Sequence, residues 1–270
     1  MKVLPRETDT YKIVGDNLEM LIVKVGNSPV FSEAGKMIYT KGSVKMETKM
    51  SSRKEKGLFG KFLDAGKRML AGESLFLTYF EGLGEVGFAG DFPGRILPIQ
   101  LENESILAQK DAFLAAIGDI DVSIALQKRI GGALFGGEGF IVEKITGKGI
   151  VFIHAGGDLV SFNLASGETI KVDTGCSVAW DESVSYDISY IGSIKSTLFG
   201  GEGLFLNTLT GPGTVILQTM PLSKLRRQLQ SMGSLEVEVN KNPAARLVKG
   251  GVLGATVGGI LGGILGKRDE

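Results

Sequence analysis

Three glutamates carry the pattern in this chain that most resembles chemistry. Glu73, Glu138 and Glu202 stand 65 and 64 residues apart. Glu138 and Glu202 lie in matching stretches, Leu134-Phe135-Gly136-Gly137-Glu138-Gly139-Phe140 and Leu198-Phe199-Gly200-Gly201-Glu202-Gly203-Leu204. Glu73 lies in a weaker copy, Leu70-Ala71-Gly72-Glu73-Ser74-Leu75-Phe76. Two roles fit such a set. Gathered at one point, three carboxylates make a cation or acid–base site, but without a counter-charge they repel one another. Kept apart, each serves its own corner: the glycines (Gly72, Gly137, Gly201) bend the backbone, and the glutamate accepts hydrogen bonds from nearby backbone N–H groups. Nothing else in the chain supplies a ligand set, so the expectation is a repeated structural motif, with no catalytic, cofactor-binding or metal-binding residues and no enzyme activity.

The elements that must position these glutamates repeat with them. An apolar run follows each motif: Leu75 to Phe80, Phe140 to Ile145 and Leu204 to Leu209. Then come Glu81-Gly82-Leu83-Gly84, Thr146-Gly147-Lys148-Gly149 and Thr210-Gly211-Pro212-Gly213, each followed by a second apolar run. Strand, Gly-x-Gly, strand reads as a β-hairpin. Upstream, Met37 to Lys49, Ala112 to Leu126 and Cys176 to Tyr190 alternate apolar and polar residues, the period of strands with one buried face. The sequence therefore predicts an all-β fold of three repeated modules of about 65 residues, bounded at 10–101, 102–166 and 167–230. A closed or stacked pseudo-threefold arrangement would remove exposed strand edges. Residues 241–270 read as a linker and tail.

Other candidate sites resolve into structural roles. Gly82-Leu83-Gly84-Glu85-Val86-Gly87 spells the dinucleotide fingerprint, but that motif needs a helix after it, and β-forming residues follow here. His154, alone of its type, cannot build a multi-histidine metal site. Trp180 falls in a strand and reads as core. Cys176, also alone, excludes an intrachain disulfide and reads as a small buried side chain in a strand. Formal net charge is zero, so bulk electrostatics favours neither nucleic acid nor anionic lipid. The N-terminus has no apolar core of signal-peptide length, which predicts a cytoplasmic protein, peripheral or tail-anchored at a membrane.

Two segments differ from the repeats. Residues 49–68 insert a basic stretch with Arg53, Lys54, Lys56, Lys61, Lys67 and Arg68. Leu58, Phe59, Phe62, Leu63, Met69 and Leu70 give it the spacing of a short amphipathic helix over 58–70. It either covers one end of the β body or offers a basic contact surface for acidic lipid, nucleic acid or a partner. Pro221 to Gln230 reads as a helix with proline in its first turn, and Ser234 to Val239 as a further strand. The tail carries Gly250, Gly254, Gly258, Gly262 and Gly266 in a four-residue ladder among aliphatic residues, with no charge between 250 and 266. Such a stripe lets a helix approach another backbone closely. As a helix its span is about 25 Å, short of the roughly 30 Å of a bilayer core. Either it associates with a membrane or another helix, or it packs as a flexible tail.

The run from Lys67 to Leu77, followed by Gly-Gly-Glu-Gly twice at this spacing, resembles the mitochondrial-biogenesis "altered inheritance of mitochondria, twenty-four" family over about residues 10–230. The resemblance implies a β fold of the tryptophan-RNA-binding-attenuator-like class, and mitochondrial relatives are linked to inner-membrane organisation. It brings no catalytic residues. The expected function is a non-enzymatic scaffold or interaction protein. Its expected partners are a membrane or protein through the tail, and further copies of itself. The competing reading is a nucleic-acid-binding module using the basic insertion. Few aromatics, 7% of residues, argue against base stacking.

Overall fold

The alternating segments form long strands. In the computed structural model, which describes residues 1–51, 75–128, 140–190, 205–226 and 228–229, the chain is all-β. Met37 to Lys49 lies in β5 (Met37–Ser51), and Ala112 to Leu126 falls largely in β8 (Phe113–Lys128). Cys176 to Tyr190 becomes β12 (Ser177–Asp181) and β13 (Ser185–Tyr190). The opening segment gives β1 (Lys2–Val3), β2 (Tyr11–Val14) and β3 (Met20–Val25). After the turn at 26–29 comes β4 (Val30–Glu33). The remaining strands are β6 (Leu75–Ala89), β7 (Gly94–Gln109), β9 (Phe140–Gly156), β10 (Leu159–Leu164), β11 (Thr169–Asp173), β14 (Phe205–Thr210) and β15 (Gly213–Gln218).

Twelve strands form one antiparallel sheet, in the order β10-β15-β12-β7-β9-β8-β4-β6-β3-β2, with β1 on β7 and β5 on β6. A second sheet runs β11-β14-β13. Among the described residues the large sheet is an open path of strand pairs. Among those residues β5 pairs only with β6 and, in the second sheet, β11 only with β14. Their exposed Lys41, Lys45 and Lys171 keep those edges in water.

The Gly-x-Gly elements do not reverse the chain. β6 runs unbroken through Gly82-Leu83-Gly84, and β9 through Gly147-Lys148-Gly149. Each keeps the same partners on both sides of the glycines: β5 on β6, and both β7 and β8 on β9. At 211–212 the strand does break, and β14 and β15 then lie in different sheets. The element is a bend inside a strand, not a hairpin turn. Gly147 has φ 138°, and a Cβ there would stand 2.1 Å from the Asp119 carbonyl oxygen on the facing strand. Only glycine fits both constraints. The hairpins close instead at the other ends of these strands, where Ser51 faces Leu75, Lys128 faces Phe140 and Tyr190 faces Phe205.

Asn103 sits at positive φ (66°) where β7 shifts register against β9 between Glu102 and Glu104, so its place is a β-bulge. Trp180 is fully buried, as expected. Cys176 is not in a strand. It ends a single 3-10 turn at Thr174–Cys176 and is half-buried. Residues 222–226 and 228–229 are helical, within the stretch expected to be a helix. Residues up to Ser223 form one compact unit and those from Lys224 onward a second. The helix expected over 58–70, the strand over 234–239 and the glycine-ladder tail lie outside the described residues.

Candidate functional site

One charged side chain lies wholly inside the β body without a protein partner. Glu143 in β9 has no solvent exposure, and neither carboxyl oxygen has a hydrogen-bond donor among the described residues. Alternation along β9 sets its direction: Phe140 and Val142 pack with Trp180 and Leu107, while Glu143 shares the opposite face with Ile145. Ile145 belongs to the main core, with Phe31, Leu77, Phe113 and Ala112.

The charges acting on Glu143 come from three other segments: Glu33 at the end of β4, Lys36 just beyond it, and Lys110 and Asp111 in the 3-10 turn at 110–112. Burial pushes the Glu143 carboxyl well above the usual glutamate range, and Glu33 adds to this; Lys110 and Lys36 oppose it. Glu33 is itself raised, chiefly by burial, which outweighs the pull of Lys36. Lys36 Nζ stands 3.3 Å from Glu33 Oε2 and donates to Asp91 Oδ2 at 2.5 Å. Burial alone would lower the Lys36 ammonium, but Glu33 and Asp91 hold it above its usual range. Asp91 also links this group to His154, buried at 4% exposure against Phe92 with ring centroids 4.8 Å apart. Burial lowers the His154 pKa, and Lys36 adds to that, so the ring is neutral at physiological pH. His154 is thus the structural polar residue expected from the sequence.

Glu19 shows what a satisfied buried carboxylate looks like in the same protein. Its Oε1 accepts from Arg6 Nη1 at 2.7 Å and from Arg95 Nη1 at 3.2 Å, and its Oε2 accepts from the Ile96 N–H at 2.6 Å. Both oxygens are used, and the N-terminal segment is clamped to β7. Glu143 has no such arrangement, so its neutral, protonated form is the one that burial tolerates.

Glu143 shares its offset from a Gly-x-Gly with two other buried polar residues. Four residues before Gly82, Gly147 and Gly211 stand Thr78, Glu143 and Asn207, with exposures of 9%, 0% and 0%. Thr78 shares a 2.9 Å hydroxyl contact with Thr48. Asn207 Nδ2 donates to Ser177 Oγ at 3.2 Å. Facing Glu143 across β8 is Ile124, which offers no hydrogen bond.

The residues singled out from the sequence are not among those described. Gly72, Glu73, Gly137, Glu138, Gly201 and Glu202 are outside the described residues. So are Arg53, Lys54, Lys56, Lys61, Lys67 and Arg68, and the tail glycines Gly250, Gly254, Gly258, Gly262 and Gly266. Sequence reasoning missed Glu33, Lys36 and Glu143. One signal was present: Glu143 interrupts the apolar run Phe140 to Ile145. Among the described residues no group of three or more His, Cys, Asp or Glu is arranged to hold a metal ion.

The fold and this core define an all-β protein built on a large antiparallel sheet. The chain belongs to the mitochondrial biogenesis AIM24 family, whose model matches residues 11–220. It is 32% identical over 205 residues to an uncharacterized protein of Streptococcus pyogenes serotype M6, covering 74% of this chain and 81% of that protein. It is also similar to a Streptococcus pyogenes protein solved by X-ray crystallography. That likeness has a TM-score of 0.65 at 26% identity and covers 82% of this chain and 98% of the other.

Proposed function

We propose that this protein is a non-enzymatic scaffold made of three copies of one bent, three-stranded unit, and that its tail attaches it to a membrane. The observation that carries the scaffold is a repeated pairing register. Two residues before each Gly-x-Gly stand Phe80, Ile145 and Leu209, and they face Val30, Ile106 and Ile170. The joints between units repeat the same offset. Phe31 faces Ala116 where β4 meets β8, and Leu107 faces Trp180 where β7 meets β12. In this reading the copies run 20–89, 94–156 and 159–218, so β7 belongs wholly to the second. The repeated side chains serve packing, not a substrate.

The membrane part rests on the uncharged glycine ladder at 250–266. No described helix is long and apolar enough to cross a membrane, and the tail lies outside the described residues. The test is flotation with phosphatidylcholine vesicles containing anionic lipid. Full-length protein is expected to float, and a chain ending at residue 246 to stay below the vesicles with an unchanged far-ultraviolet spectrum. Full-length protein left below the vesicles, or a truncated chain that floats equally, would contradict the attachment.

A further inference from the structure

We propose that Glu143 is a proton-held latch between β9 and the end of β4: it closes this part of the core while protonated and loosens it on ionisation. The latch stands on the burial of Glu143 and its unpartnered carboxyl oxygens, and does not depend on the three-copy reading. β4 and β9 are not hydrogen-bonded to each other; β8 separates them in the sheet. Ile145, on the same face of β9 as Glu143, packs in the core that Phe31 of β4 also lines. Glu33 and Asp111 are the acids whose charge disfavours an ionised Glu143.

Every charged group acting on Glu143 belongs to that junction: Glu33 from β4, Lys36 from the turn after it, and Lys110 and Asp111 from the turn before β8. Lys36 does not serve as its counter-ion, because its ammonium is held by Glu33 and Asp91. An ionised Glu143 is therefore fully buried without a hydrogen-bond donor, and Lys110 and Lys36 offset only part of the cost. The protonated form removes the charge and gives the acid a hydrogen to donate.

The direction of the pH effect follows from linkage. The folded-state pKa of Glu143 is raised, so the folded protein binds a proton that the unfolded chain has already released. Stability is complete below the ordinary glutamate range. It declines as pH rises, with the unfolding constant growing about tenfold per pH unit until the raised folded pKa is passed. Acid thus tightens the latch and alkali loosens it.

The experiment is urea unfolding of the full chain and of Glu143→Gln between about pH 4 and pH 9, a window that opens at the ordinary glutamate value and runs well above it. The wild type is expected to lose stability steadily across this range. Glu143→Gln is expected to lose most of that slope and to match or exceed the wild type at the alkaline end. Glu33→Gln, which removes the repelling neighbour, is expected to shorten the declining range. A wild type with no slope, or either variant with the full wild-type slope, overturns the latch. If Glu143→Gln does not fold, infrared spectroscopy of the wild type at neutral pH decides. A protonated-carboxyl band that vanishes at alkaline pH upholds the proposal, and its absence at neutral pH overturns it.

Discussion

Thr78, Glu143 and Asn207 occupy one repeated position with three different chemistries. The Thr78 hydroxyl pairs with Thr48 and the Asn207 Nδ2 donates to Ser177, with the Asn207 Oδ1 left unpartnered, whereas neither oxygen of Glu143 has a partner. The energetic consequence is testable at Asn207. Asn207→Ala deletes the donor to Ser177, which is itself fully buried, and leaves a polar hydroxyl in the core. A loss of about 1–3 kcal/mol is expected from that stranded group, measured by denaturant midpoint at constant slope. A change near zero would mean that Ser177 finds another partner. A polar residue inside each apolar run was visible in the sequence as a pattern: Thr78 in Leu75 to Phe80, Glu143 in Phe140 to Ile145, Asn207 in Leu204 to Leu209. The partners were not visible. Glu33 and Glu143 are 110 positions apart, and no local spacing announces that one charge acts on the other.

The strands themselves were legible because alternation reports a buried face wherever one exists. That held for β5, β8 and the pair β12 and β13. The Gly-x-Gly elements misled because glycine at positive φ serves a hairpin turn and an in-strand bend equally well, and only pairing separates the two. In β9 the pairing continues past the glycines, with Lys148 opposite Asp119 and Ile150 opposite Ile117. The strand is therefore too constrained at Gly147 to accept a side chain. Gly147→Ala places a Cβ 2.1 Å from a backbone oxygen at an unfavourable φ of 138°. It is expected to cost at least about 1–3 kcal/mol, seen as a lower melting temperature with the fold retained or lost outright. Gly26→Ala, where a Cβ meets nothing within 4 Å, is the control expected to leave stability nearly unchanged.

Across the whole molecule, the account is one of joining. β4 on β8 and β7 on β12 connect neighbouring parts of the chain at the same offset, and Glu19 fastens the N-terminal segment to β7 through Arg6, Arg95 and the Ile96 N–H. Membership of the AIM24 family was legible from the motif run at 67–77 and its two echoes, because glycine and acid at fixed spacing survive as text. The open sheet was not legible: alternation tells which face of a strand is buried, not which neighbour it finds, and the lysines at 41 and 171 gain meaning only once their edges are seen unpaired. The central claim is that the repeated acids hold this framework together. It is tested most directly by replacing Glu73, Glu138 and Glu202 together with glutamine and measuring thermal unfolding beside vesicle flotation. The account predicts a clearly lower melting temperature with flotation retained. An unchanged melting temperature with flotation lost would contradict it and make the three glutamates a binding site.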